Sequence, residues 1–179
     1  VVSMPTGITR VEHSAIESAV RGAGAKRAAL IRSSIAAALG ASMSIEEARG
    51  SMVVLIGGST TEIAVISMNG IVAARTTRTG SLALDEAIMR YIRREKGLII
   101  GQRTAEDLKL DLGTALEIPM TEVENVSLRG RDARTGKPSA AEINALDIQR
   151  AILPALDNLL ETIREAFENT PAELAEDIL

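Results

Sequence analysis

An α/β fold is predicted for this chain by three observations. Strand, turn and helix signals alternate along its whole length. Apolar residues make up 46% but aromatics only 1% of the sequence, with Tyr91 and Phe167 the whole set, so the core must be aliphatic. Residues 51–72, SMVVLIGGSTTEIAVISMNGIV, read as a β-hairpin closed by a Gly-Gly turn.

The elements follow in order. Residues 1–4 resemble the tail of a strand, and Pro5-Thr6-Gly7 turns the chain. Thr9 and Glu12 have capping-box spacing; Val11, Ala15, Ile16, Ala19 and Val20 then form one apolar helical stripe, read as a core-packing face. Gly22 and Gly24 stop that helix. Residues 28–31 predict a short strand, Ser33 or Ser34 the cap of an Ala-rich helix through Ala41, and residues 44–50 a polar connection. The hairpin strands are expected at 53–56 and 63–68, with Met68-Asn69-Gly70 as the next turn and a third strand to Thr77. Ser81 or Leu82 opens a helix to about residue 96 with Ala87, Ile88, Tyr91 and Ile92 inward, and Gly97 ends it. A helix over 104–112 places Glu106 and Lys109 on one face. Residues 123–128 predict a strand and 130–137, rich in Arg, Asp and Gly, an exposed loop. A long amphipathic helix is expected over 144–169, kinked or broken at Pro154, and Pro171 begins a last short helix.

Composition excludes several functions. The net charge is −4 and aromatic stacking platforms are absent, so nucleic acid is not an expected partner. With no cysteine and His13 as the single histidine, disulfides, thiolate nucleophiles, zinc clusters and Ser/His/Asp triads are not supplied. His13 reads as an ordinary surface residue. No apolar run approaches the roughly 18 residues of a membrane span, no signal peptide is recognised, and residue usage is that of a cytoplasmic protein. The chain opens without an initiator Met and reads as a piece of something longer.

The hairpin turn carries the chemistry. Gly57 and Gly58 remove the Cβ atoms that would hold a backbone away from a ligand, while Ser59, Thr60 and Thr61 add hydroxyls and N–H donors. That is anion-binding chemistry; the alternative is a structural turn whose threonines favour β structure. Leu55 stands at the end of the incoming strand, where a metal-nucleotide site would carry a carboxylate. From spacing alone, Glu106 and Lys109 read as an exposed ion pair on a solvated helix face.

With these pieces in order, the chain resembles MreB-type bacterial actins. The matching segments are MPTGITRVEHSAI at 4–16, GAGAKRAALI at 22–31, AAALGAS at 36–42, the hairpin at 51–72, LDEAIMRYIRRE at 84–95, IGQRTAEDLKLDLG at 100–113 and NTPAELAEDIL at 169–179. The resemblance implies an actin-like (ribonuclease-H-like) α/β fold, with a nucleotide between two lobes, head-to-tail filaments, and a role in organising wall synthesis at the inner face of the membrane. It implies that residues 1–50 end the first-lobe core, that 51–82 and 145–179 belong to the second-lobe core, and that 83–144 are an inserted subdomain. Further nucleotide motifs are expected upstream and downstream. By position, Gly57, Gly58, Ser59, Thr60 and Thr61 match the family's second phosphate loop, which usually has a third glycine at Ser59. Gly80 matches a glycine near the adenine, and Glu106 and Lys109 a pair near ribose and adenine.

Three departures concern acids. Leu55 replaces the Asp that orients magnesium-bound water. Ser33 replaces the Glu that positions the attacking water, and Leu82 replaces the Asp of a Gly-Gly-Asp motif. The resemblance therefore implies ATP or ADP with Mg as cofactor, but hydrolysis slowed or lost. Implied partners are further copies of the chain, together with wall-synthesis and membrane proteins; Arg10, Glu12 and Arg21 lie on the helix that the family places near the contact between paired protofilaments. Three readings follow: a filament protein that is ATP-binding by ancestry, a nucleotide-independent scaffold with a degenerate site, and a small-molecule kinase or phosphatase of the same superfamily.

Overall fold

Val2–Met4 (β1) pairs in parallel with Leu30–Arg32 (β2), with Arg10–Gly22 (α1) as the crossover between them. The capping box forms as the spacing predicts: the Thr9 hydroxyl accepts from the Glu12 N–H at 3.2 Å, and Glu12 Oε2 accepts from the Thr9 N–H at 2.7 Å. The apolar stripe of α1 departs from expectation. No residue of the helix is buried and Val11 is 78% exposed, because no element among the described residues covers that face. Ser33–Gly40 (α2) begins one residue early for a serine cap. Arg32 holds the N-cap without a side-chain bond, and Ser33 is already helical.

The structure is a computed structural model describing residues 1–119 and 123–178. Residues 120–122, within the expected insertion, and Leu179, at the end of the expected second-lobe stretch, lie outside the described residues. The chain divides into two units, Val1–Arg78 with Leu160–Leu179, and Thr79–Leu159.

In the first unit, Ser51–Ile56 (β3), Thr61–Ser67 (β4) and Gly70–Thr77 (β5) form an antiparallel sheet with β4 central. Every residue of β4 is buried. Val53, Ala64 and Ile66 pack with Ala38 of α2 and Ile45, which makes the aliphatic core expected of a chain with two aromatics. Met68 at φ 50° and Asn69 at φ 59° give the hairpin turn its positive φ angles at both central positions. Gly50 lies where a Cβ would strike the Leu174 carbonyl, and its N–H donates to Asp177 Oδ2 at 2.7 Å; this pins Ala172–Ala175 (α6) to the start of β3.

The second unit holds Ser81–Glu95 (α3), Leu98–Ile99 (β6), Gln102–Leu112 (α4), Val126–Asp132 (β7) and Pro138–Ile143 (β8), with sheet order β6-β7-β8. Ile88, Ile92, Leu98, Leu128, Ile143 and Ile148 form its core. Residues 130–137 are not a loop throughout. β7 continues to Asp132, whose Oδ1 accepts from the N–H groups of Arg134 at 3.0 Å and Thr135 at 2.6 Å, and the chain returns as β8. The run SLRGRD hides this strand because mainly Leu128 points into the core. Ala145–Glu168 (α5) is one helix, and Pro154 does not break it. Proline removes one helical hydrogen bond. Burial of Ile148, Ala151 and Ile152 before it and of Leu159 and Ala166 after it holds the helix on both sides. Among the described residues, no helix is long and apolar enough to cross a membrane.

Candidate functional site

The turn between β3 and β4 is tight. The Gly57 N–H donates to the Thr60 carbonyl at 2.9 Å, and a Cβ on Gly57 would sit 3.1 Å from that same oxygen. Gly58, Ser59 and Thr60 are exposed at the tip. Thr61 is placed differently: β4 begins there, its side chain is fully buried, and it pairs with Ile56 and Thr77. The open donor set is therefore the tip, Gly58 to Thr60, held by a turn that Gly57 closes. An exposed glycine-hydroxyl tip of this kind suits a phosphate. No carboxylate stands at the end of β3 to ligate a metal beside it, since Leu55 offers no ligand atom.

Opposite Leu55 in the ladder stands Glu62, an acid that the sequence reading did not single out. It is 6% exposed, as the second residue of the buried strand β4. One carboxylate oxygen accepts from the Thr6 N–H at 2.8 Å, and the other lies 2.7 Å from the Ser33 hydroxyl. That hydroxyl is also 3.1 Å from the Met4 carbonyl, but it has one proton to give. The Thr6 and Ser34 hydroxyls meet at 3.0 Å, and the Arg32 guanidinium donates to the carbonyls of Thr6 and Pro5. This network ties the exit of β1, the first turn of α2 and β4 together. Both Glu62 oxygens are engaged, so the carboxylate serves structure rather than standing free as a base. A charge inside an otherwise apolar strand, TEIAVIS, was the available signal.

In the second unit, Gly80 is the buried N-cap of α3 and Leu82 is 38% exposed on its first turn. Glu106 is exposed on α4. Lys109 does not pair with it. The Lys109 ammonium sits 2.7 Å from Asp85 Oδ1 on α3 and 3.4 Å from the Ser81 carbonyl, and Asp85 is 1% exposed. The solvated-pair reading of Glu106 with Lys109 is thereby corrected: a buried carboxylate takes the nearest cation because it cannot stay charged without one. The predicted residues thus fall into two sets, Gly57 to Thr61 in the first unit and Gly80, Glu106 and Lys109 in the second.

A further ionic group lies on α5. Asp147 accepts from the Tyr91 hydroxyl at 2.9 Å and pairs with Lys96 at 2.8 Å. Burial pushes its carboxyl up, but the Lys96 ammonium and the Tyr91 hydroxyl outweigh that and hold it below the usual carboxylate range. Burial, and then the Asp147 carboxylate, push the Tyr91 hydroxyl up.

The family model described as MreB/Mbl protein matches residues 1–179. The cell shape-determining protein MreB of Escherichia coli (strain K12) is 44% identical over 177 residues, which cover 99% of this chain and 50% of that protein. The structure of MreB5 of Spiroplasma citri bound to AMPPNP superposes with a TM-score of 0.91 at 34% identity, covering 98% of this chain and 52% of that one. The same protein bound to ADP superposes equally well. The MamK double helical filament shares the fold, with a TM-score of 0.73 at 18% identity over 99% of this chain and 52% of that one. The chain spans about half the length of the curated relatives it matches.

Proposed function

The chain belongs to the MreB/Mbl family and has its actin-like fold, and from that premise we propose that it is part of a cytoskeletal filament protein that binds ATP or ADP but hydrolyses it slowly or not at all. The observation that carries this reading is the juxtaposition at β3–β4. A tip of Gly58, Ser59 and Thr60 suited to phosphate adjoins a strand end where Leu55 faces Glu62 and where Ser33 is bonded to that acid. Gly58 to Thr60 would hold the phosphates, on a turn that Gly57 closes and Thr61 anchors in β4; Gly80, Glu106 and Lys109 would meet the nucleoside, Lys109 with its charge already paired to Asp85. A bound magnesium ion would neutralise phosphate charge, but this chain offers it no carboxylate at residue 55. Binding of AMPPNP and ADP by the Spiroplasma citri relative supports the nucleotide.

On the same reading, residues 1–50 end the first-lobe core, 51–82 and 145–179 belong to the second-lobe core, and 83–144 are inserted into it. The filament would organise wall synthesis at the inner face of the cell membrane, with wall-synthesis and membrane proteins as partners. Pelleting the protein from its whole reading frame with and without ATP and magnesium, alongside phosphate release, tests this. Polymer that forms with ATP, with release at least about 10²-fold slower than that of the Escherichia coli relative, is the expected result. Release at the relative's rate, or no polymer at any concentration, overturns it. The engaged Glu62 favours one second reading, a scaffold that assembles without nucleotide, for which pelleting is the same with and without ATP.

A further inference from the structure

Arg90 and Arg94 stand one turn apart on α3, and Arg150 of α5 joins them in lining a groove of about 390 Å³ whose apolar wall includes Ala83, Ala87, Ala151 and Ala155. Like charges at this helical spacing oppose each other. Tyr91 nonetheless holds one of the guanidinium groups in place: Arg94 lies over its ring at 5.9 Å. The acids at hand neutralise little. Glu86 reaches Arg90 at 3.5 Å with both side chains 69% exposed, and Glu95 pairs with Arg94 at the surface. Among the described residues Arg150 has no carboxylate within ion-pair distance. The groove is therefore a cationic surface with a shallow alanine wall. It extends from Ala83 to Arg94, roughly 16 Å along the helix axis, longer than one phosphate.

The complementary surface is on this same chain. Residues 160–178 carry many acids against Arg164 as their one cation. Glu161 pairs with Arg164, Glu165 with Arg75, and Asp177 accepts from Gly50. Glu168, Glu173 and Glu176 are exposed, and none is in an ion pair among the described residues. They lie at the last residue of α5, in the four-residue α6 and at its C-cap, an exposed edge with three carboxylates to set against the groove's three guanidinium groups. We propose that the arginine groove of one copy receives the Glu168–Glu173–Glu176 edge of a second copy, a proposal that rests on the filament reading.

Charge reversal in the full-length protein tests the contact. R90E/R94E/R150E and E168R/E173R/E176R should each raise the critical concentration for pelleting at least about tenfold, because like charges then face each other. All six changes in one chain should return it to within about twofold of the unaltered protein. Thermal melts show that each variant is folded. R90Q/R94Q/R150Q, which removes charge without reversing it, should assemble less tightly and with a weaker dependence on salt. If the reversed variants pellet like the unaltered protein, or the combined chain is no better than either alone, the contact is overturned and the filament reading stands. If the unaltered protein forms no polymer, both fall. Binding to phosphatidylglycerol vesicles that the arginine changes abolish while pelleting persists would assign the groove to a lipid headgroup and overturn the proposal.

Discussion

Ser33 and Glu62 show what a single side chain decides here. Ser33 sits in the first turn of α2 yet supplies a hydroxyl to a carboxylate buried 29 residues away on β4. Removing a donor from a buried charged acceptor costs about 1–3 kcal/mol. Ser33→Ala should lower the urea midpoint accordingly without changing the slope, whereas Ser42→Ala, on an exposed turn, should move it little. Asp147 makes a second residue-scale prediction. Its carboxyl is held below the ordinary value, so the stability it contributes is present above the unfolded pKa and is lost as pH falls through the folded one. Urea midpoints should therefore decline below about pH 4. In Lys96→Met, which removes the strongest lowering influence, stability at pH 7 should drop and the acid decline should flatten. An unchanged acid decline in that variant would remove Lys96 as the cause.

At the scale of elements, the Asp85–Lys109 pair joins α3 to α4. Lys109→Met leaves an uncompensated buried charge and should cost about 3–5 kcal/mol in urea unfolding, while Glu106→Gln on the same helix should cost under about 0.5 kcal/mol. Comparable losses in both would mean that Glu106 is the true partner. The contrast also shows what sequence could reveal. Local periodicity found α1, α3, α4 and the β3–β4–β5 meander, and the Thr9–Glu12 cap formed as spaced, because each signal lies within a few neighbouring residues. β6 is two residues long and β8 is largely exposed, so neither leaves an apolar pattern. The α1 stripe shows that amphipathicity predicts a helix and not what covers it. Spacing alone paired Lys109 with Glu106, because Asp85 is 24 residues away and only the packing of two helices brings it near. The tip of the phosphate-suited turn was legible; the acid network behind it was not, since Thr6, Ser33 and Glu62 meet only through tertiary structure.

For the molecule as a whole, two of the three altered positions, Leu55 and Ser33, are coupled through Glu62, and the coupling yields the last prediction. Leu55 lies directly across the ladder from Glu62, and Ser33 donates to it. An Asp at 55 together with a Glu at 33 would gather three carboxylates around one buried strand, an arrangement stable only with a cation to neutralise it. Leucine and serine remove that need, so on the proposed reading the fold should be stable without metal. A ligand that binds only the native state raises stability by RT ln(1 + [L]/Kd), which makes melting temperature a direct readout. The full-length protein should melt at the same temperature in EDTA as in magnesium, and any rise with ATP should not depend on the metal. L55D/S33E should melt lower in EDTA and recover with magnesium and ATP, because the cation then offsets the repulsion the two substitutions create. Each single variant should fall between, and the deficit of the pair should exceed the sum of the singles, since all three carboxylates share one site. Equal magnesium dependence in the unaltered protein and in L55D/S33E would mean that metal binding survived the loss of these acids, and the slow-hydrolysis reading would fall with it.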